Sequence, residues 1–245
     1  MYMSENGLGP LAFPSLKQME DEVIAMGLGL LHGPDGAVGN ITSGGTDSIN
    51  MAVKAARDYG RQVKGMTGTL NIVAPWSAHP AFDKAAKMME LEIRRVPVGD
   101  DLKADVAAMA EKIDGSTIML VGSAPCFPYG LIDPIEALGK LAEEKDVWMH
   151  VDACVGGYIA PFVRMNGGDV PPFDFEVPGV KSMSADLHKY GYCAKGASTV
   201  LYRSEELRSY MIFDCDNWPG GRMVTPTLAG TRPGGAIAAA WAVMN

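Results

Sequence analysis

Short apolar runs alternate with segments of helical spacing along most of the chain, and this alternation is what most limits the fold. Residues 70–75, 92–98, 117–121 and 147–151 read as strands. Between them, residues 82–89, 102–113 and 134–145 read as helices. Leu102, Val106, Met109 and Ile113 share one face of the second, and Pro134 opens the third. Residues 181–185 and 199–202 are expected to add two more strands, and 205–210 another helix. Repeated β-α units argue for an α/β protein with a mainly parallel sheet covered by helices on both faces. Ligands in such sheets sit at the carboxyl ends of the strands.

The flanks are less regular. A helix is expected to open at Phe13-Pro14-Ser15-Leu16, with Ser15 as N-cap, and to run past Met19, Val23 and Met26. Gly33-Pro34-Asp35-Gly36 reads as a turn. Trp218-Pro219-Gly220-Gly221 and Gly230-Thr231-Arg232-Pro233-Gly234-Gly235 read as loops, followed by a helix from Ala236. Residues 1–40 are therefore read as an N-terminal arm and helix, and 41–245 as one large domain.

The composition, 47% hydrophobic and 20% charged over 245 residues, is that of a globular protein with a sizeable core. A net charge of −8 with no basic cluster argues against nucleic acid or an anionic membrane surface as partner. Cys126, Cys154, Cys193 and Cys215 are far apart and read as reduced thiols. No apolar run reaches the roughly 18–20 residues of a membrane span. The first residues lack the basic and apolar regions of a secretory signal. A cytoplasmic location is expected.

The chemistry concentrates at strand ends. Ser184-Ala185-Asp186-Leu187-His188-Lys189-Tyr190-Gly191-Tyr192 delivers a lysine just after an apolar run. His150-Val151-Asp152 delivers an aspartate at the end of another. A lysine amine and a carboxylate so placed suit a Schiff base to pyridoxal 5′-phosphate (PLP), with Asp152 on the ring nitrogen to strengthen the electron sink. Lys189 is expected to have a lowered pKa through desolvation and a nearby cation. His79, in a loop after a strand, is expected to stack on the ring. His188 is read as a donor to the phosphate. His150 is read as pointing away from Asp152 and as structural. Gly44-Gly45-Thr46 before a helix can gather backbone N–H groups on an anion. The pattern GxxxxGK[ST] is absent, as are HExxH, CxxC and GxSxG, so an ATP-type loop, a metal site and a serine hydrolase are disfavoured.

Taken together, several segments resemble the sphingosine-1-phosphate lyases, fold-type I PLP enzymes of the group II decarboxylase superfamily. They are Thr42-Ser43-Gly44-Gly45-Thr46-Asp47-Ser48-Ile49, Ser77-Ala78-His79, His150-Val151-Asp152-Ala153-Cys154-Val155-Gly156-Gly157, Phe173-Asp174-Phe175, Ser184 through Gly196, and Ala229-Gly230-Thr231-Arg232-Pro233-Gly234-Gly235. The resemblance implies that Gly44, Gly45, Thr46 and His188 hold the PLP phosphate and that His79 stacks on the ring. It implies that Asp152 pairs with the ring nitrogen, that Ala153 packs beneath the ring and that Lys189 forms the Schiff base. It places Lys195 near the substrate phosphate. Gly234 and Gly235 would reach the phosphate site of a second subunit, so a homodimer is expected. The implied reaction is retro-aldol cleavage of a phosphorylated long-chain base to phosphoethanolamine and a long-chain aldehyde. Members carry a segment before the Phe13 region, with a membrane anchor in eukaryotes, which would place the chain on the cytosolic face of the endoplasmic reticulum. They also carry a C-terminal small domain after the helix near Ala236. The chain is thus expected to be the large PLP domain. An amino-acid decarboxylase of the same superfamily acting on tyrosine, aspartate or glutamate, and an inactive fragment or paralogue, are the alternatives.

Overall fold

The computed structural model describes residues 2–9 and 11–245. Strands β1 (Val38–Thr42), β2 (Asn71–Pro75), β3 (Glu92–Val96), β4 (Thr117–Ser123), β5 (Trp148–Asp152), β6 (Val180–Ala185) and β7 (Ser198–Tyr202) form one seven-stranded sheet. Its order is β1-β7-β6-β5-β4-β2-β3. Within it β7 alone runs against its neighbours; β1, β6, β5, β4, β2 and β3 share one direction. Their carboxyl ends therefore open on a single edge, as the mainly parallel reading expects.

Helices α1 (Pro14–Leu30), α4 (Val106–Lys112), α5 (Ile135–Glu144) and α8 (Gly234–Met244) contribute to an apolar cluster on one face of the sheet. Helices α2 (Gly45–Gln62) and α3 (Ala81–Met88) contribute to a second cluster on the other. Phe82 of α3 is fully buried there, a burial that contributes about 1.5–3 kcal/mol. Strand β5 alternates between the two clusters: Met149 and Val151 belong to the first, Trp148 to the second. Short elements α6 (Ala160–Met165) and α7 (Glu205–Ser209), and a hairpin of β8 (Phe213–Cys215) with β9 (Met223–Thr225), complete the chain.

Several boundaries differ from the sequence reading. Helix α1 starts at Pro14 with Phe13 as N-cap and no side-chain cap, so Ser15 lies inside the first turn. Proline suits that start, since its φ is preset and it has no N–H to leave unpaired. The helix expected over 102–113 begins only at Val106. Asp105 caps it by accepting from the Ala108 N–H at 3.0 Å. Leu102 sits outside at φ +61 and is exposed. The strand expected over 92–98 ends at Val96, before Pro97, which has no N–H to extend the ladder. Strand β1 has no apolar alternation to announce it. Its Gly39 is packed so closely that a Cβ would meet Leu201 Cδ2 at 2.5 Å. Helix α8 begins at Gly234 rather than after the glycine pair.

Candidate active site

The loops that follow β1, β2, β4, β5 and β6 close around a cavity of about 480 Å³, a size suited to a small cofactor with substrate. After β1 come Ser43, Gly44, Gly45, Thr46 and Asp47, and after β2 comes His79. Strand β4 ends in Ser123 and leads to Pro125 and Phe127; β5 ends in Asp152 and leads to Cys154; β6 leads to Asp186, His188 and Lys189. Residues far apart in sequence meet because their strands share one direction.

Helix α2 points its N-terminus into the cavity. The first N–H groups of a helix have no partner within it, and the helix dipole adds positive potential. Asp47 folds back so that its Oδ2 accepts from the Ser43 N–H and the Ser43 hydroxyl, each at 3.0 Å. A side chain at Gly45 would not fit: its Cβ would lie 2.8 Å from both Asp186 Oδ2 and Cys154 Sγ. The Gly44-Gly45-Thr46 stretch is thus a bare backbone cradle at a helix start, the kind of surface that takes a phosphate.

Lys189 Nζ is 2.9 Å from Asp186 Oδ2. Burial alone would lower the lysine's pKa, but the hydrogen bond and charge of Asp186 outweigh it and raise the pKa above its ordinary value. The expectation of a lowered pKa at Lys189 is overturned by this carboxylate, which the sequence reading gave no role. Asp186, three positions earlier, folds onto the amine across a turn. His188 accepts through Nδ1 from the N–H groups of Gly196 and Ala197, at 3.3 and 3.2 Å. That leaves Nε2 as the protonated nitrogen, 3.5 Å from Asp186 Oδ2. Burial, with Lys195 and Lys189 nearby, keeps the His188 pKa below its ordinary value despite Asp186. His79 accepts through Nδ1 from the Ala81 N–H at 3.1 Å, which again leaves Nε2 as the donor.

Asp152 is buried in the cavity wall. Its Oδ1 accepts from the Cys154 N–H at 3.1 Å and from the Ser184 hydroxyl at 3.3 Å. His150 does not point away from it. Residues two apart in a strand share a face, and Trp148, His150 and Asp152 line up on the α2 side. His150 Nε2 is 3.3 Å from Ser184 Oγ, and its ring meets Phe82 edge-on at 5.9 Å. Cys154 is buried beside Asp152 and Asp186; burial and these two charges push its thiol pKa well up, so it stays a neutral wall of the site.

The cavity gathers Gly44, Gly45, Thr46, His79, Asp152, His188 and Lys189. Four other expected residues lie outside its lining. Ala153 is fully buried in the α1-side cluster. Lys195 donates to the His188 carbonyl at 2.6 Å. Gly234 and Gly235 open α8, where the Gly234 N–H bonds Glu5 O at 2.9 Å. Ser123, Asp186 and Phe127 were not anticipated as site residues. Away from the cavity, His32, Asp174 and Glu176 lie close together, but Arg164 already bridges the two carboxylates, at 2.9 Å from Glu176 and 3.9 Å from Asp174. The group is an ion-pair cluster.

A PLP molecule fits what these residues offer. Ser123 Oγ and Asp186 Oδ1 are buried at the cavity with no hydrogen-bond partner among the described residues, which calls for a ligand carrying polar atoms. The cradle at α2 answers to a phosphate, Lys189 to an aldehyde, and Asp152 to a protonated ring nitrogen.

Comparison with known proteins agrees. The family described as the pyridoxal-dependent decarboxylase conserved domain matches residues 4–216. The chain is 51% identical over 250 residues to sphingosine-1-phosphate lyase of Oryza sativa subsp. japonica, covering 100% of this chain and 46% of that protein. It is 48% identical over 249 residues to sphingosine-1-phosphate lyase of Arabidopsis thaliana, again covering 100% and 46%. The solved structure of sphingosine-1-phosphate lyase from Burkholderia pseudomallei K96243 superposes with a TM-score of 0.96 at 42% identity, covering 99% of this chain and 57% of that one. The chain spans about half the length of the relatives it matches. A match over most of the residues, joined to a cavity shaped for the cofactor, places the chain in the family of pyridoxal-dependent decarboxylase domains, with pyridoxal 5′-phosphate as its cofactor.

Proposed function

We propose that this domain belongs to an enzyme that cleaves a phosphorylated long-chain base, of the sphingosine 1-phosphate kind, to phosphoethanolamine and a long-chain aldehyde. The observation that carries the reading is the meeting of Lys189, Asp152, His79 and the α2 N-terminus at one sheet edge. The likeness to sphingosine-1-phosphate lyases along the whole chain supports the substrate class.

When bound, PLP supplies an electron sink that lets the substrate C2–C3 bond break after the C3 hydroxyl loses its proton. Lys189 holds the cofactor through its amine. The proton that Nζ must first lose has Asp186 Oδ2 as an acceptor at 2.9 Å. Asp152 keeps a proton on the ring nitrogen, while the N–H groups of Gly44, Gly45 and Thr46 take the phosphate, with His188 beside them. His79, in the loop after β2, would stack on the ring. Lys195 is assigned to the substrate phosphate, and Gly234 with Gly235 to the cofactor phosphate of a second copy in a homodimer. Among the described residues no helix is long and apolar enough to cross a membrane. We assign the domain to the cytoplasm or to the cytosolic face of the endoplasmic reticulum.

The test is product analysis. The protein with PLP and a phosphorylated sphingoid base should release a long-chain aldehyde and phosphoethanolamine in equal amounts, and Lys189→Ala should release neither. Carbon dioxide from tyrosine, aspartate or glutamate, with no aldehyde from the lipid, would replace this reading by an amino-acid decarboxylase.

A further inference from the structure

Between the two apolar clusters, on the face of the sheet that α2 covers, the chain buries an unbroken row of polar side chains. The parallel pairing of β5 with β6 sets His150 opposite Ser182 and Asp152 opposite Ser184. Trp148, Ser182, His150 and Ser184 are all buried, and Ser182, His150 and Ser184 are wholly so. Trp148 Nε1 is 2.8 Å from Ser182 Oγ, which is 2.8 Å from His150 Nδ1. On the other side of the ring, His150 Nε2 is 3.3 Å from Ser184 Oγ, which is 3.3 Å from Asp152 Oδ1.

The two ends of this row dictate the position of every proton in it. An indole nitrogen can only donate, and a carboxylate can only accept. The Ser184 hydroxyl has one hydrogen, and Asp152 takes it. His150 Nε2 must then donate to Ser184 Oγ, which leaves Nδ1 as an acceptor in a neutral ring. Ser182 receives the Trp148 hydrogen and gives its own to Nδ1. All four hydrogen bonds therefore run the same way, from indole to carboxylate. Burial supports the neutral ring, pushing the His150 pKa down to about 3.

We infer that Trp148, Ser182, His150 and Ser184 form a one-way hydrogen-bond relay that pins Asp152 Oδ1 and so presents Oδ2 to the cofactor's ring nitrogen, making Ser184 and His150 positioning residues. The inference deepens the functional reading above and rests on it, since it takes Asp152 as the partner of that nitrogen. A buried polar row that served packing alone would need only internal satisfaction. This one ends on the single member that lines the cavity, and it occupies the Oδ1 side of that carboxylate together with the Cys154 N–H. Asp152 Oδ2 takes part in none of the chain's own hydrogen bonds among the described residues, so it is the oxygen left for the cofactor.

The experiment has a part with cofactor and a part without. In the unliganded protein, long-range proton–nitrogen spectra should show His150 as the neutral Nε2–H tautomer, with Ser184→Ala shifting its Nε2 resonance. Titration with PLP should show that Ser184→Ala weakens cofactor affinity on the order of tenfold, the loss of one hydrogen bond to a charged group. The absorbance maximum of the bound cofactor should move with it, and Ser184→Thr, which keeps the hydroxyl, should restore both. An Nδ1–H tautomer would overturn the relay, whatever the cofactor does. So would a Ser184→Ala protein that melts earlier yet keeps wild-type affinity and absorbance. Failure of the wild type to take PLP on Lys189 is a separate result: it would overturn the functional reading, and the relay's assigned role with it, while the tautomer would still be read without cofactor.

Discussion

In the proposed site, Lys189 and Asp186 are an ion pair at 2.9 Å. Burial pulls the lysine pKa down, but the carboxylate outweighs it and raises the pKa, which favours the protonated amine. Removing the charge leaves burial as the dominant influence, which lowers it. Asp186→Asn should therefore shift the pH midpoint of PLP capture by Lys189 downward, read from the capture rate against pH; an unchanged midpoint would mean the pair does not set the amine's protonation. His150 gives a second pH signature, this time in stability. Its folded pKa of about 3 lies below the ~6.5 of an unfolded histidine, so between these values the unfolded chain binds more protons. Its contribution is complete above pH 6.5 and is lost as pH falls, at about 1.4 kcal/mol per pH unit. Denaturant unfolding at pH 6.5 and 5 should show an extra loss of about 2 kcal/mol in the wild type that His150→Gln does not share. Equal losses would show that His150 takes a proton without unfolding.

At the scale of elements, the chain is held by a buried pair that joins its two ends. Glu20 of α1 and Arg232, just before α8, meet with Oε2 to Nη2 at 2.9 Å; Arg232 also bonds Ile41 O and Gly7 O. Arg232→Met would strand a buried carboxylate and should cost about 3–5 kcal/mol, while adding Glu20→Gln should recover part of that loss by removing the unpaired charge. Thermal or urea unfolding of the two variants checks it; equal instability would place the cost elsewhere. The same scale decides what the sequence could reveal. β2, β4, β5 and β6 were legible because buried parallel strands are apolar runs closed by turns, and legible strand ends brought Asp152, Lys189 and His79 together. β1 was not, since Gly39 and Asn40 have little strand propensity and are held there by β7. Nor was Leu102 outside α4, because the Asp105 cap that starts the helix later competes locally with an apolar pattern that looks continuous. Ser182 and Ser184 lie in the buried strand β6 and Asp186 just past its end, in a period-two row, Ser182-x-Ser184-x-Asp186, beside apolar neighbours. That row was the available signal for a polar network, but its partners sit on β5, and only the register names them.

For the whole molecule, six strands running one way make a single productive edge, and the cofactor cavity lies along it. Near that edge Phe127, Tyr190 and Tyr192 are exposed, with Tyr192 75% accessible. In the proposed homodimer this surface is open to a second copy, whereas Gly234 is buried against the Glu5 backbone and must part from it to reach a neighbour; sedimentation of the protein with PLP should report a dimer, and a monomer at all concentrations would remove Gly234 and Gly235 from the site. The proposed function requires this fold to build a PLP site with Lys189 as its covalent anchor. The most direct measurement is to incubate the protein with PLP, reduce with borohydride, digest and locate the phosphopyridoxyl group by mass spectrometry. One modified residue, Lys189, is expected, with no site-specific modification in Lys189→Ala. Modification scattered over surface lysines, with Lys189 untouched, would contradict it.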